Sequence, residues 1–211
     1  MRKLIYIPII HTMVDMGSQA ETLKKEYLKR YGRQGWSRSR QAINHVWTGI
    51  RKRVLALELD FTKVRIYQDG LPVGGRELEI AREVAARGSK NHELLIELLQ
   101  RGAKLEGTES PDLLLKEHKL IKDITQAKDE AERQAARETH TMESARILRQ
   151  RDEFISQRIN DTLKDGEVGI LFMGLMHRVD KLLPKDIEVS YLIYRLPFGE
   201  RGEGERMRED I

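Results

Sequence analysis

The chain has 211 residues, the length of one α/β domain, and sets 38 Lys and Arg against 34 Asp and Glu for a net charge of +4. The two signs interleave along most of it, which excludes a nucleic-acid footprint: the densest basic run, Arg38, Arg40, Arg51, Lys52 and Arg53, falls on one amphipathic helix whose solvated face accounts for it. With no cysteine there is no disulfide, thiolate site or cysteine nucleophile, so any metal must be held by His, Asp or Glu.

The N-terminal apolar run Leu4 to Ile10 is too short to span a membrane and lacks a small-residue cleavage site, so the expectation is a soluble, unsecreted, cytoplasmic protein. Its near-continuous β-branched character fits a strand buried on both faces of a parallel sheet, ending at His11. Gly17-Ser18 then offers a helix start, with a helix to about Lys29, a turn over Tyr31 to Trp36, and a second helix carrying Ile43, Val46, Trp47, Ile50 and Val54 at helical spacing. Leu55 to Leu59 also reads as a strand. Lys63 to Tyr67 is a short strand stopped by the turn Gln68-Asp69-Gly70. Helices are predicted over 76–86 and 91–100, and a third strand over 103–106. Thr108 or Ser110 caps a further helix, with Pro111 at its first position.

From Leu120 to Leu163 no residue breaks the helix pattern, which predicts a rod of roughly 65 Å beside a body whose radius of gyration is about 17 Å. Its middle, Lys128 to Glu143, is poor in apolar residues and is expected to project, bend, or pack on a second copy of the chain as a homo-oligomer contact. Gly169 to Met173 is a buried strand followed by Gly174-Leu175-Met176-His177, and a last strand covers 187–196. The predicted architecture is a single α/β domain over 1–197, with a mostly parallel sheet covered by helices on both faces, and a flexible charged tail over 198–211.

Open α/β sheets bind ligands at the carboxyl edge of their strands. The residues that follow the strands here are His11 and Asp15, Gln68 and Asp69, Thr108 and Glu109, and Gly174 with His177. Gly174 lets the backbone turn so that His177 folds back over the strand end, and Asp15 is available to orient the second ring nitrogen of His11. The plainer alternatives are a His177 that bonds loop backbone, an Asp69 that serves its turn, and a Glu109 placed for the helix dipole. His45, His92, His118 and His140 read as structural or solvated. Arg151 falls inside the apolar helical face of Ile147, Leu148, Phe154, Ile155 and Ile159, so it is either paired in a polar interior or buries its stem and snorkels.

In motif order the chain resembles the TraB/Tiki and ChaN/erythromycin-esterase-like superfamily: a His after the first strand, acidic residues after middle strands, Arg151-Asp152 on a late helix, then a strand and Gly174-x-x-His177. Pro8 stands where that superfamily usually has Gly ahead of its first His. The resemblance implies a metal-dependent peptidase or esterase, or a haem-binding relative, and points to His11, His177 and Arg151; Glu58, Asp69 and Glu109 compete for its acidic position. The leading expectation is a hydrolase in which His11, His177 and Glu109 or Asp69 hold a divalent Zn, Mn or Fe, with Arg151 stabilising the oxyanion. A metal-free variant would use one His as general base. The rival is a non-catalytic protein that binds a small anion or signalling ligand at the same edge, using Gly17-Ser18 and Arg151. A third is an assembly factor acting through Lys128 to Glu143. Substrate identity, small molecule or peptide, is not readable from the sequence.

Overall fold

Alternation along the strands builds two cores. In a computed structural model, which describes residues 1–15, 17 and 20–194, strand β1 (Arg2–Ile9) sends Ile7 and Ile9 to one face and Leu4 and Tyr6 to the other. Strand β4 (Val168–Gly174) does the same with Ile170 and Phe172 against Leu171 and Met173. With β2 (Val64–Gln68), β3 (Lys104–Glu106) and β5 (Ile187–Tyr191) they form a five-stranded, all-parallel sheet in the order β3-β2-β4-β1-β5.

Helices cover both faces, as the sequence predicts. On one face α1 (Ala20–Leu55) contributes Val46, Trp47, Ile50 and Val54, and α3 (Lys90–Gln100) contributes Leu94, Leu95 and Leu98. On the other, α5 (Glu130–Thr162) sets Ile155 and Ile159 against Leu4, Tyr67 and Leu171. The chain order explains this split: β1 to β3 step one way across the sheet and β3 to β5 step back, and right-handed crossovers in opposite directions place their helices on opposite faces. The connections leaving β1 and β2 therefore part from the one leaving β4, and a crevice opens at the carboxyl ends of these three neighbouring strands.

Three expectations are corrected. The turn over Tyr31 to Trp36 shrinks to a kink inside α1 at Gly32, whose φ of 69° supplies the left-handed residue that the bend needs. Leu55 to Leu59 is no strand, because α1 runs through Leu55 and the sheet resumes only at Val64. The uninterrupted helix of 120–163 is two helices, α4 (Pro111–Gln126) and α5, packed on each other across a break at 127–129. Asp129 makes the break by accepting the Glu132 N–H at 2.8 Å, while the Glu132 carboxylate accepts the Lys128 N–H at 2.9 Å. Ser110, not Thr108, caps α4, and helix α2 (Glu77–Ala86) packs beside α3. No helix of the described residues is long and apolar enough to cross a membrane. Ser18 and the 198–211 tail lie outside the described residues, as do positions 195–196 of the predicted last strand; among the described residues that strand is Ile187–Tyr191.

Candidate functional site

Four loops at the carboxyl edge bring their polar residues into one cluster. Trp47 Nε1 donates to the Ile10 carbonyl at 3.1 Å and fixes the chain just ahead of His11. The loops after β2 and β3 are zipped together: the N–H groups of Thr108 and Glu109 both reach the Leu71 carbonyl at 3.0 Å, and Val73 N–H reaches Glu109 O at 2.9 Å. Gly70, at φ 77°, closes the turn that holds Asp69, and the buried Gln68 side-chain amide braces it by donating to the Asp69 carbonyl at 3.0 Å. Thr108 Oγ1 accepts the Gln68 N–H at 2.9 Å, so it supports the edge rather than facing a ligand.

Asp69 is the hub. Its Oδ2 meets His11 Nε2 at 3.0 Å and accepts the Gly174 N–H at 3.0 Å, and its Oδ1 accepts from Arg151 Nη2 at 2.8 Å. Gly174 is needed here for space more than for its turn, since its φ is not positive and a Cβ would sit 2.8 Å from Asp69 Oδ2 and 3.4 Å from His11 Nε2. Glu109 lies fully buried behind, gripped by Arg151 through Nε at 3.1 Å and Nη2 at 2.6 Å. Arg151 Nη1 goes to Glu117 of α4 at 2.8 Å. Arg151 is thus paired in a polar interior, and four of the five guanidinium N–H groups end on carboxylates.

His177 folds back over the strand end through its own N–H to the Gly174 carbonyl, at 3.1 Å. Its Nδ1 meets Asp152 Oδ1 at 2.5 Å, and the other oxygen of Asp152 accepts the Arg178 N–H at 3.0 Å. Asp152 is the functional residue that the sequence reading left without a role. Helical spacing carried the signal: Asp152 lies four residues after Leu148 and three before Ile155, on the face that those apolar residues turn inward.

Other expectations move. Asp15 does not orient His11; its Oδ2 accepts from Thr12 N and Oγ1 at 2.6 and 2.8 Å, and its Oδ1 accepts from Ser89 Oγ beside His92. Asp69 takes the orienting place. Glu58 is exposed and precedes β2 at the amino side of the sheet, so it cannot serve the site. His92 and His118, read as structural or solvated, line the same cavity as His11 and His177. His45 instead pairs with Tyr194.

Burial and neighbouring charge pull the two central carboxyls apart. Burial works to raise the pKa of Asp69, but the His11 hydrogen bond and the charges of His11, His177 and Arg151 outweigh it and hold the group well below the usual carboxylate range. For Glu109 burial wins over the Arg151 pair, and its pKa rises. Burial lowers His11, yet its hydrogen bond to Asp69 and the negative charge around it leave it above an ordinary imidazole. Arg151, despite burial, is held charged by Glu109, Asp69 and Glu117.

The residues that can hold a metal ion are Asp69, Glu109 and His177, all buried, each offering a ligand atom within 4.8 Å of the others. The structure groups Asp69 with the expected Glu109 and His177; His11 stands one step out, on Asp69. The donor set fits a cation. Asp152 occupies Nδ1 of His177, which directs Nε2 toward Asp69 Oδ1 at 3.7 Å, too far for a hydrogen bond. Three carboxylates, Asp69, Glu109 and Glu117, also outnumber the single guanidinium among them.

His11, Asp69, Arg151 and His177 open onto a cavity of about 860 Å³ whose other walls are mostly apolar, with Ile80 and Val84 from α2, Leu114 and Ile121 from α4, and Leu148 from α5. The chain matches no protein-family model, no curated protein and no solved structure, so what the site does has to be argued from its own geometry.

Proposed function

We propose that the protein is a metal-dependent hydrolase of the peptidase or esterase kind, with Asp69, Glu109 and His177 holding a divalent Zn, Mn or Fe ion. The observation that carries this reading is the carboxylate-braced imidazole of His177, aimed by Asp152 at two buried carboxylates beside a ligand-sized cavity. Aspartate–histidine pairs of this kind orient metal ligands and raise their basicity. A divalent ion in this place supplies Lewis acidity, acidifying water and polarising a carbonyl. The motif order shared with the TraB/Tiki and ChaN/erythromycin-esterase-like superfamily points the same way.

The protein's own groups divide the remaining work. With Nε2–H of His11 given to Asp69, the ring presents Nδ1 as an acceptor, and its side chain, 32% exposed, is reachable by water. His11 takes a proton from the attacking water and returns it to the leaving group, while Asp69 fixes the tautomer and stabilises the imidazolium. Arg151 holds Asp69 and Glu109 in register and keeps their paired charge tolerable in a buried place.

The rival, a receptor for a small anion, is disfavoured by the same geometry, because Arg151 already serves three carboxylates. Elemental analysis of protein purified without chelator tests the proposal. Near-stoichiometric metal is expected, lost in a folded His177→Ala variant and weakened about 10- to 100-fold in Asp152→Asn. Absence of metal, with none taken up from added Zn, Mn or Fe, would overturn it.

A further inference from the structure

The cavity is chemically divided, and the division specifies what enters it. Most of its polar groups come from the carboxyl edge of the sheet, joined by Glu117 and His118 of α4 and Arg151 of α5, whereas Ile80 and Val84 of α2, Leu114, Leu115 and Ile121 of α4 and Leu148 of α5 give it an aliphatic wall. Helix α4 makes the point most clearly: it is amphipathic, yet none of its residues is buried, because Leu114, Leu115 and Ile121 are turned to the cavity instead of the core. Leu115, Leu175 and Met176 stay largely exposed where they line it. Apolar surface of this extent, left uncovered beside a polar cluster, marks a ligand site. At about 860 Å³ the space is in the upper part of the range for small-molecule pockets, too large for an acetyl or amino-acid-sized group alone.

Charge narrows the ligand further. Asp15, Asp69 and Glu117 line the cavity, Glu109 lies directly behind, and Arg151 is the one guanidinium among them. Asp69, Glu109 and Glu117 are all bonded to Arg151, and Asp15 is tied to Ser89 and Thr12, so four carboxylates stand around one guanidinium. Asp15 and Glu117 lie outside the Asp69, Glu109 and His177 group and keep their charge with an ion bound there, so an anionic ligand lying along them would be repelled at close range where a neutral or cationic one would not.

We infer that the substrate is a lipophilic carboxylic ester without an anionic group, whose apolar acyl part lies against the aliphatic side chains of α2, α4 and α5 while its carbonyl lies at the polar end of the cavity beside His11. The inference rests on the hydrolase reading above. In the reaction, the hydroxyl of water bonds to the acyl carbon, the acyl C–O bond breaks, and the alcohol oxygen leaves with the proton that His11 took from water. The second product is the carboxylic acid, which releases its proton to solvent.

Two probes of nearly one shape separate the contributions: the neutral fluorophore N-phenyl-1-naphthylamine and its sulfonated analogue 8-anilinonaphthalene-1-sulfonate. Fluorescence titration of the full-length protein should show saturable, one-site binding of the neutral probe and binding of the sulfonate at least about tenfold weaker. Leu114→Asp should weaken the neutral probe by about tenfold or more; Leu115→Asp, at a side chain 66% exposed and so dispensable for folding, should do the same. With 4-nitrophenyl esters, kcat/KM should rise at least about tenfold from acetate to decanoate. Equal or tighter binding of the sulfonate, or neutral-probe binding indifferent to both leucine variants, would overturn the inference. Acetate turnover equal to that of decanoate, without probe binding, would overturn it and leave the hydrolase reading standing. Probe binding as expected with no ester cleaved would instead sink the hydrolase reading, and the ester assignment with it, leaving only a site for a lipophilic ligand.

Discussion

Arg65 and Arg151 each bind more than one carboxylate, and the contrast between them shows what desolvation does to the same chemistry. Arg65, near the start of β2, grips Glu167 through Nε and Nη2 and also reaches Glu106. Its side chain and those of its partners are 16–18% exposed, and the Arg65 hydrogen bond holds the Glu167 carboxyl below its ordinary pKa. Arg151, at the other edge of the sheet, is 7% exposed, and its partner Glu109 moves the opposite way because burial outweighs the guanidinium. A clamp that water can reach settles its charges and is finished. The drier cluster instead keeps two acids shifted in opposite directions, Asp69 down and Glu109 up, around one guanidinium.

The sharpest way to break the comparison is to remove each cation in turn. Arg151→Met strands Asp69 and Glu109 without their partner and should cost about 4 kcal/mol by thermal or urea denaturation, as uncompensated buried charges do. Arg65→Met leaves carboxylates that water can solvate, and about 1 kcal/mol is expected. Equal losses would mean that the two clusters differ in position but not in dielectric environment.

Gly174→Ala comes next. It adds one methyl group 2.8 Å from Asp69 Oδ2, so either the strand end or the Asp69 carboxylate must shift. About 2 kcal/mol of stability is at stake from overpacking. Displacing Asp69 from His11 should lower kcat about 100-fold. A matching change at Gly166, whose added Cβ would meet nothing but which adopts φ 78°, should reduce stability through backbone strain and leave kcat alone.

How much of this was readable beforehand depends on the range of the interactions involved. Strand alternation and helical periodicity are local, so all five strands, the two covered faces and the carboxyl-edge placement of His11, Asp69, Glu109 and His177 followed from the residues themselves. Which carboxylate joins which imidazole did not follow. Asp15 is four positions from His11 and was the obvious partner, but α3 brings Ser89 and His92 to Asp15 and the sheet brings Asp69 to His11. That choice is made by strand order, a property of pairing across more than fifty residues. Arg151 was visible as a charge on an apolar face, whereas its three acceptors come from two loops and a separate helix.

Asp15 offers a test inside the drier edge but off the Arg151 cluster. Burial raises its pKa, and hydrogen bonds from His92, Ser89 and Thr12 overcome that, so folding lowers it. Because the folded value lies below the unfolded one, ionised Asp15 stabilises the protein at every pH above the unfolded pKa, about 3.9. The contribution is lost as pH falls through the folded value. Asp15→Asn should therefore cost about 1.5 kcal/mol at pH 7. The gap from the parent protein should narrow in denaturation series carried below the unfolded value and close once pH has fallen through the folded one. A gap independent of pH would assign the residue a packing role instead.

The smallest expected effect belongs at the wettest place. Asp129 caps α5 in an exposed turn, and the pattern Asp129-Glu130-Ala131-Glu132 is a capping signature that breaks the apparent 120–163 helix. Asp129→Ala removes the acceptor for Glu132 N–H and should cost about 1 kcal/mol. Added salt should narrow the loss, since the cap combines a hydrogen bond with a charge near a helix N-terminus. At Arg151 salt should change almost nothing, because ions do not enter a cluster that water barely reaches. If instead Asp129→Ala left stability unchanged while circular dichroism gained helix, the 127–129 break would be set by the packing of α4 on α5 and not by its cap. A loss at Asp129 as large and as salt-insensitive as that at Arg151 would remove solvent access as the variable separating the two kinds of charge.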